Sequence, residues 1–347
     1  DYIRKQTLTG GERFITDELK KHEDEVLTAQ VKAYELEYKL FSDFRNYSKE
    51  FVTLIRETAE CISELDVFAS FAEIAVEQNY TCPELDESGD FFIKNGRHPV
   101  LEKILPLGTY VANDIELSSS DKTKTEFMIL TGPNMAGKST YMRQNALIAI
   151  LAQIGSFIPA DYGKIGIIDK IFTRVGASDD LTLGKSTFMV EMTETAYILN
   201  SATDKSLILI DEIGRGTSTY DGVAIAWSVA EYIAGKIGAR CIFATHYHEL
   251  NVMTNTYPQI KNYRITISEE NGEIEFLRKI VQGGASKSYG IQVAKMAGLP
   301  NSVVKRSEEL MSKMQRDFSK NLAKGKSKTK SDTELEVQAP QLNLFGE

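Results

Sequence analysis

One segment constrains this chain more than any other: residues 132–139 have the pattern G-x-x-x-x-G-K-S. An apolar run at 127–130 precedes it and a helical stretch begins at Thr140. In that setting the glycines let backbone N–H groups turn inward around a phosphate, and the helix dipole adds partial positive charge. Lys138 can then reach the β- and γ-phosphates, and Ser139 can bind Mg²⁺. We therefore predict a nucleoside triphosphate site formed by Gly132, Pro133, Asn134, Met135, Ala136, Gly137, Lys138, Ser139 and Thr140.

Apolar runs that alternate with helical stretches surround this segment. The strand-like runs lie at 91–93, 110–111, 127–130, 206–210 and 240–244, and the helical ones at 140–154, 187–200 and 223–237. Strands that are apolar along their whole length are typical of a parallel sheet covered on both faces. Residues 263–268 and 274–280 flank an Asn-Gly pair that is typical of a β-hairpin turn. The pattern predicts an α/β P-loop NTPase fold.

The regions on either side of this α/β segment have a different character. Residues 14–79 lack Pro and Gly and carry apolar residues at helical spacing, which predicts long helices that start near Thr16 and are too polar to form a core of their own. The opening residues read as helix interior or loop, and the absence of Met at position 1 predicts a piece of a longer chain. Residues 288–314 read as two or three short helices, and residues 319–341 as a disordered tether. We place the domain boundaries at 1–88, 89–287, 288–317 and 318–347.

Two acids, Asp211 and Glu212, end the apolar run 206–210. Carboxylates at the end of a buried strand cost free energy unless they serve a cation or a water molecule. Asp211 fits a Mg²⁺ ligand, directly or through water, and Glu212 fits the catalytic group that polarises the attacking water. A surface turn after a core strand is the alternative, and the phosphate-binding segment argues against it.

Three other positions allow both a functional and a plain structural interpretation. His246 follows a strand-like run and fits a catalytic residue that senses or stabilises the γ-phosphate, since such sheets bind ligands at strand ends; the alternative is a histidine in solvent. Ser186 fits a helix N-cap, or a helix start that contacts the γ-phosphate bound by a neighbouring subunit. The glycine-rich loop 214–222 is a plain connection or a route of signalling between subunits.

Composition narrows the partners and the compartment. The net charge is −9 and no basic patch is evident, so any main contacts with DNA are expected outside this sequence. Cys61, Cys82 and Cys241 are too widely spaced for a disulfide framework or a metal motif, which predicts free thiols in the cytoplasm. The sequence has no apolar run of membrane-spanning length, which predicts no membrane association.

Four segments together resemble the MutS family of DNA mismatch repair proteins: residues 131–140, 186–192, 211–217 and 245–246. Their order and spacing match, and the resemblance covers nearly the whole chain. It implies a central ABC-type ATPase domain, a long helical lever segment before it and a small helix-turn-helix dimerisation element after it. Asn134-Met135 is typical of the mismatch repair branch of the family rather than of the paralogous branch with an extra nuclease domain.

The resemblance also implies how the protein works. ATP and Mg²⁺ would bind at composite sites in a homodimer, with Ser186 acting on the partner's nucleotide and Tyr110 and Val111 packing on adenine. ATP would switch the protein from mismatch search to a sliding clamp on mismatched duplex DNA, which recruits MutL. The mismatch-reading domain is absent from this sequence, so the ATPase and dimerisation surfaces are what we expect it to retain.

The final residues, Gln341 to Phe345, resemble the Q-x-x-L-F peptide that binds the bacterial sliding clamp. On a flexible leash such a peptide can place Leu344 and Phe345 in an apolar pocket while Gln341 sets the orientation. A random hydrophobic tail is the alternative.

Two other protein classes share parts of this pattern. The first is an ABC-type ATPase of another DNA-maintenance or transport system. A transporter is expected to carry an LSGGQ-type signature where this chain has residues 186–189, and a structural-maintenance ATPase has longer coiled-coil arms. The second is a non-catalytic interaction module with a degenerate site. The presence of Lys138, Ser139, Asp211 and Glu212 disfavours this alternative.

Overall fold

The computed structural model describes residues 2–106, 108–120, 124–133, 136–175, 186–270, 273–285 and 289–325. The chain divides into two compact units, residues 1–76 and 77–347. The division between residues 76 and 77 falls before the predicted domain boundary at residue 88, which was based on a cluster containing Pro and Gly. It falls earlier because residues 84–86 already pair with a strand of the second unit.

The first unit begins with a β-hairpin, β1 (Ile3–Leu8) and β2 (Gly11–Ile15), where the sequence predicted helix or loop. That prediction was wrong because the strands are polar and exposed, so they lack the apolar alternation that would indicate a strand. The main local sign of the hairpin is its glycine-containing turn. Gly10 has φ 105°, a backbone conformation that glycine adopts without a steric penalty.

The long helices of this unit are α1 (Asp17–Lys49) and α2 (Val52–Glu77). The predicted start at Thr16 is confirmed, since Thr16 Oγ1 accepts a hydrogen bond of 3.1 Å from the Leu19 amide. None of the residues in α1 is buried, in line with the prediction that these helices do not form a core of their own.

The second unit contains two sheets within its described residues. Its strands are β3 (Glu84–Asp86), β4 (Asp90–Gly96), β5 (Asn113–Ser118), β6 (Phe127–Thr131), β7 (Tyr162–Gly166), β8 (Ile171–Val175), β9 (Leu207–Asp211), β10 (Arg240–Thr245), β11 (Ile260–Glu270) and β12 (Glu273–Gln282). Six of them form a sheet in the order β12-β11-β6-β10-β9-β8, parallel except for the antiparallel pair β11-β12. The other four form a sheet in the order β3-β7-β4-β5.

The helices of this unit connect the strands or follow them. They are α3 (Leu101–Ile104), α4 (Lys138–Gln153), α5 (Thr187–Ser201), α6 (Thr219–Tyr232), α7 (Gly290–Met296) and α8 (Asn301–Gly325), with a π-helical turn at Ile233–Ile237 and a 3-10 helix at His248–Asn255. The predicted parallel strands, the helices after them and the hairpin β11-β12 are confirmed. Residues 271 and 272 of the hairpin turn lie outside the described residues.

Two predictions about this unit were wrong. Residues 110–111 are not a strand; β5 starts at Asn113, where buried Asn113, Ile115 and Leu117 alternate with exposed Asp114 and Glu116. Residues 319–325, predicted as part of a disordered tether, continue α8. Leu, Ala and Lys in this segment favour a helix, whereas the prediction of disorder was based on its low apolar content. Residues 326–347, with the predicted clamp-binding peptide, lie outside the described part.

The core lies on both faces of the six-stranded sheet. Along β6, Met128 and Leu130 face a cluster that includes α4 and the four-stranded sheet, while Phe127 and Ile129 face a cluster that includes α5 and α6. This period-two division explains why the run is apolar at every position. The two covered faces fix the strand ends from which the loops of the candidate site extend.

Among the helices of the described residues, we find none with the length and apolar character needed to cross a membrane.

Candidate functional site

The carboxyl ends of four parallel strands meet at one edge of the six-stranded sheet. In the register, Thr131 of β6 lies opposite Thr245 of β10, and Asp211 of β9 lies opposite Ala244 on one side and Val175 of β8 on the other. Loops that leave this edge are where open α/β sheets bind ligands. The predicted phosphate-binding segment and the acidic pair both leave from it.

The phosphate-binding segment connects β6 to α4 through two glycines with positive φ. Gly132 has φ 152° and Gly137, the N-cap of α4, has φ 108°. A side chain at either position would be strained, which explains the need for glycine. The first turn of α4 directs amides without intrahelical partners toward this loop. Asn134 and Met135 lie outside the described residues.

Lys138 is held at the mouth of this loop by oxygen atoms. Its Nζ donates hydrogen bonds of 2.6 Å to the Gly132 carbonyl and 3.2 Å to the Pro133 carbonyl, and lies 3.1 Å from Glu212 Oε1. Burial lowers the pKa of Lys138 to about 8, with Asp211 raising it and Arg215 lowering it further. The ammonium is therefore preorganised for an anionic ligand but poorly hydrated.

Ser139 and Asp211 form a pair suited to a cation. Ser139 Oγ donates a short hydrogen bond to Asp211 Oδ2. The other carboxylate oxygen, Asp211 Oδ1, is buried and has no hydrogen-bond partner among the described residues. A buried carboxylate oxygen without a partner is costly. The pair fits Mg²⁺, which prefers hard oxygen ligands and needs only one or two from the protein beside phosphate and water.

Glu212 occupies an unusual backbone position. Its φ is 60°, in the left-handed region that non-glycine residues seldom adopt, and its amide donates to the Ala244 carbonyl at 2.9 Å. One carboxylate oxygen contacts Lys138, and Oε2 contacts the guanidinium of Arg215. The surrounding contacts therefore hold a strained residue at the strand end, a feature that clusters at functional sites.

A cleft of about 620 Å³ joins these groups. Its lining includes the predicted residues Pro133, Gly137, Lys138, Ser139, Thr140, Asp211 and Glu212. Arg143 and Arg174 also line it, and the sequence reasoning missed both. Arg143 lies one helical turn after Ser139, and Arg174 pairs with Ile210 one residue before the acidic end. Helical spacing from Ser139 was the signal that could have identified Arg143, whereas Arg174 lies in β8, a strand that the sequence analysis did not predict.

A second cavity of about 260 Å³ shares Gly137 and Thr140 at the start of α4 with the main cleft. Tyr110 and Val111 line it together with Ala136, Gly137 and Thr140, so the structure brings the predicted adenine-packing residues to the phosphate-binding segment. The Tyr110 hydroxyl donates a 2.7 Å hydrogen bond to Gln144 Oε1. Burial raises the pKa of Tyr110 to about 12, so the ring stays neutral.

His246 and Ser186 are among the predicted residues that do not line the main cleft. His246 keeps much of its surface exposed and lines an adjacent cavity with Gly132 and Pro133. Partial desolvation lowers the pKa of His246, and the charges of Arg215 and Lys138 lower it further. Ser186 is exposed and caps α5, since its Oγ accepts from the Met189 amide at 3.2 Å, which confirms the predicted N-cap.

The sequence is similar to known protein families and to known proteins over most of its length. The family model described as MutS domain V matches residues 128–315, and the one described as MutS family domain IV matches residues 1–32. The DNA mismatch repair protein MutS of Caldicellulosiruptor bescii is 55% identical over 316 residues, covering 90% of this chain and 36% of the relative. The protein of the same name from Clostridium botulinum strain Langeland is 51% identical over 347 residues, covering 99% of this chain and 37% of the relative.

This chain therefore spans little more than a third of the length of these relatives. The domain IV match covers the hairpin β1-β2 and the first part of α1, which we had predicted as part of one helical segment. The domain V match covers more than half of the chain, including the whole cleft, and the relatives match it over at least nine tenths of its length. The chain belongs to the MutS family.

Proposed function

We propose that this chain is the ATP-hydrolysing part of a MutS-type DNA mismatch repair protein. One observation carries the proposal: Lys138 of the phosphate-binding segment shares a single cleft with Asp211 and Glu212. The two acids lie at the end of β9, which is separated from β6 in the sheet by β10 alone. A glycine-rich loop and a helix N-terminus form one wall of that cleft, which suits the phosphates of a nucleotide. Membership of the MutS family supports ATP as the nucleotide.

The residues of the cleft divide the work of binding. Lys138 binds the β- and γ-phosphates, together with the backbone amides of residues 136–140. Tyr110 and Val111 pack on the adenine in the adjoining cavity. Since the Tyr110 hydroxyl is held by Gln144, its ring has a fixed orientation before the base arrives.

Hydrolysis needs a cation and a group that orients water. Ser139 and Asp211 hold Mg²⁺, which neutralises developing negative charge on the phosphates when it is bound. Glu212 orients the attacking water and accepts its proton, and contacts with Lys138 and Arg215 keep its carboxylate in place. His246 lines the adjacent cavity with Gly132 and Pro133, and from there it senses or stabilises the γ-phosphate.

The wider activity follows from the family. We infer a homodimer with composite sites, in which Ser186 acts on the partner's nucleotide through helix α5. ATP drives the change from mismatch search to sliding clamp on mismatched duplex DNA and recruits MutL. The peptide Gln341–Phe345 binds the bacterial sliding clamp, and the free thiols fit a cytoplasmic location. The alternative of another ABC-type ATPase for DNA maintenance or transport has no specific observation in its favour.

The experiment compares ATP binding and hydrolysis by the parental chain with Lys138→Ala and Glu212→Ala. Lys138→Ala loses nucleotide binding; Glu212→Ala binds ATP but hydrolyses it slowly, so that ATP is trapped. Glu116→Ala, an exposed acid in β5, is the matched control and keeps the parental rate. Hydrolysis by Glu212→Ala at the parental rate would remove its assigned role. No heat on mixing the parental chain with ATP and Mg²⁺ would overturn the proposed function.

A further inference from the structure

The turn that follows the acidic pair is held at Gly214 by two side chains from other elements. The Gly214 amide donates a 2.6 Å hydrogen bond to Glu191 Oε1 of α5, and the Gly214 carbonyl accepts a 3.0 Å hydrogen bond from the Tyr247 hydroxyl. Gly214 has φ 90° and lies only two residues after Glu212. A displacement of Gly214 would therefore reach Glu212 through two peptide units.

Glu191 is an unusual side chain for this place. It is 4% exposed, and a buried carboxylate is costly unless it is paired and hydrogen-bonded. Its Oε2 lies 3.9 Å from Arg174 Nη2, while Arg174 Nε lies 3.1 Å from Glu194 Oε2. Arg174 therefore has a second acidic partner, so Glu191 is not required merely to neutralise it.

Helix α5 and the turn are also closely packed at Gly216. A Cβ built on Gly216 would lie 2.6 Å from Phe188 Cβ and 3.1 Å from Phe188 Cα, which leaves no room for a side chain. Glu191 lies one helical turn after Thr187, a residue of the cleft lining. The first turns of α5 thus contact the cleft on one side and the acid-bearing turn on the other.

We propose that Glu191 is a positioning residue for Glu212. Its carboxylate holds the Gly214 amide, fixes the turn 212–216 against α5 and so makes the start of α5 and the Glu212 carboxylate move as one body. The inference rests on the proposed ATP hydrolysis, because that reaction is what Glu212 serves. Glu191 acts through the backbone of the turn and takes no proton from water.

The test uses three variants of the 347-residue chain. Glu191→Ala removes the acceptor of the Gly214 amide but leaves Arg174 paired with Glu194. Glu191→Gln keeps an oxygen acceptor of nearly the same shape and removes the charge. Glu194→Gln is the matched control, because it removes the other acid that contacts Arg174 and has no contact with Gly214. Each variant is measured for kcat, for KM with ATP and for hydrogen exchange at the Gly214 amide.

We expect Glu191→Ala to lower kcat by on the order of 10²-fold with KM nearly unchanged, since misplacing a catalytic group by about 1 Å has that effect while the phosphate-binding groups stay in place. Gly214 exchange accelerates in the same variant without nucleotide. Glu191→Gln recovers most of both losses, and Glu194→Gln shows neither.

The two readouts separate this inference from the proposed function. If the parental chain does not hydrolyse ATP, the proposed function fails, and Gly214 exchange alone decides whether Glu191 holds the turn. Faster exchange in Glu191→Ala but not in Glu194→Gln supports the link. Exchange equal to the parental rate, or a kcat loss in Glu191→Gln as large as in Glu191→Ala, would overturn it.

Discussion

Replacing Gly222 by alanine tests two physical effects that change the free energy of unfolding in opposite directions, namely helix propensity and steric overlap. Gly222 lies near the start of α6, and a Cβ there would come within 2.5 Å of the Gly214 carbonyl oxygen and clash with the Tyr247 hydroxyl. Gly235, in the π-helical turn that continues α6, has nothing within 4 Å of its Cβ position. The same substitution, Gly→Ala, therefore meets backbone at one position and open space at the other.

The magnitudes decide the outcome. Replacing glycine by alanine in a helix stabilises it by about 1 kcal/mol, whereas overpacking a filled site costs about 1–3 kcal/mol. Two atoms crowd the new Cβ in Gly222→Ala, the Tyr247 hydroxyl oxygen and the Gly214 carbonyl oxygen at 2.5 Å. The carbonyl oxygen belongs to the backbone and cannot rotate away, so the cost belongs in the upper part of that range. We expect Gly222→Ala to be less stable than Gly235→Ala by about 2–3 kcal/mol. Because both variants share the propensity gain, their difference isolates the steric cost.

Urea unfolding measures this difference. The chain has a single tryptophan, Trp227, which lies in α6, so its fluorescence reports on the helix that carries the substitution. A lower midpoint with an unchanged slope assigns the effect to stability. Each kcal/mol corresponds to about 2–4 °C in the melting temperature of a domain near this size. If Gly222→Ala is as stable as Gly235→Ala, the close packing of α6 against the Gly214 turn is refuted.

Three further predictions follow from the site and the tail. Since burial lowers the pKa of Lys138 to about 8, its charge is present below that pH and lost above it. The affinity for ATP therefore falls roughly tenfold per pH unit above about pH 8. Calorimetry from about pH 7.5 to 9 measures this fall, with Lys138→Arg as a control that stays charged. Tyr110→Ala weakens ATP binding by about 1–3 kcal/mol through lost stacking but leaves inorganic tripolyphosphate binding unchanged. Replacing Leu344 and Phe345 by alanine abolishes pull-down of the bacterial sliding clamp, and retained binding removes that assignment.

The sequence predicted those parts of the fold that carry a strong local signal. The runs 127–130, 207–210 and 241–244 in strands β6, β9 and β10 are apolar at every position because both faces of the sheet are covered, so the runs themselves predict the strands. The motif between β6 and α4 needs positive φ at Gly132 and Gly137, and glycine at those positions is visible in the sequence. Local chemistry and tertiary environment agree there, which is why the prediction succeeded.

The parts that were missed depend on contacts between distant residues. Strand β8 lies at the edge of the six-stranded sheet, and its Arg174 is buried against Glu191 and Glu194 of α5. The sequence of residues 171–175 contains no pattern that predicts this burial. The hydrogen bond from Gly214 to Glu191 joins residues 23 positions apart, and a glutamate inside a helix looks like a solvated surface residue in the sequence. Charged residues that are buried by the fold leave no periodic signal.

The charges around Glu212 point to a physical link between nucleotide binding and catalysis. In the structure Lys138 donates hydrogen bonds to two carbonyl oxygens and forms an ion pair with Glu212 Oε1, while Arg215 contacts Glu212 Oε2. Triphosphate carries more negative charge than one carboxylate, so it competes with Glu212 for the ammonium in a cleft where water screens poorly. We expect Lys138 to turn toward the phosphates and leave Oε1 available to a water molecule, while Arg215 still holds Oε2. The lysine that binds ATP would then also determine when the acid can accept a proton.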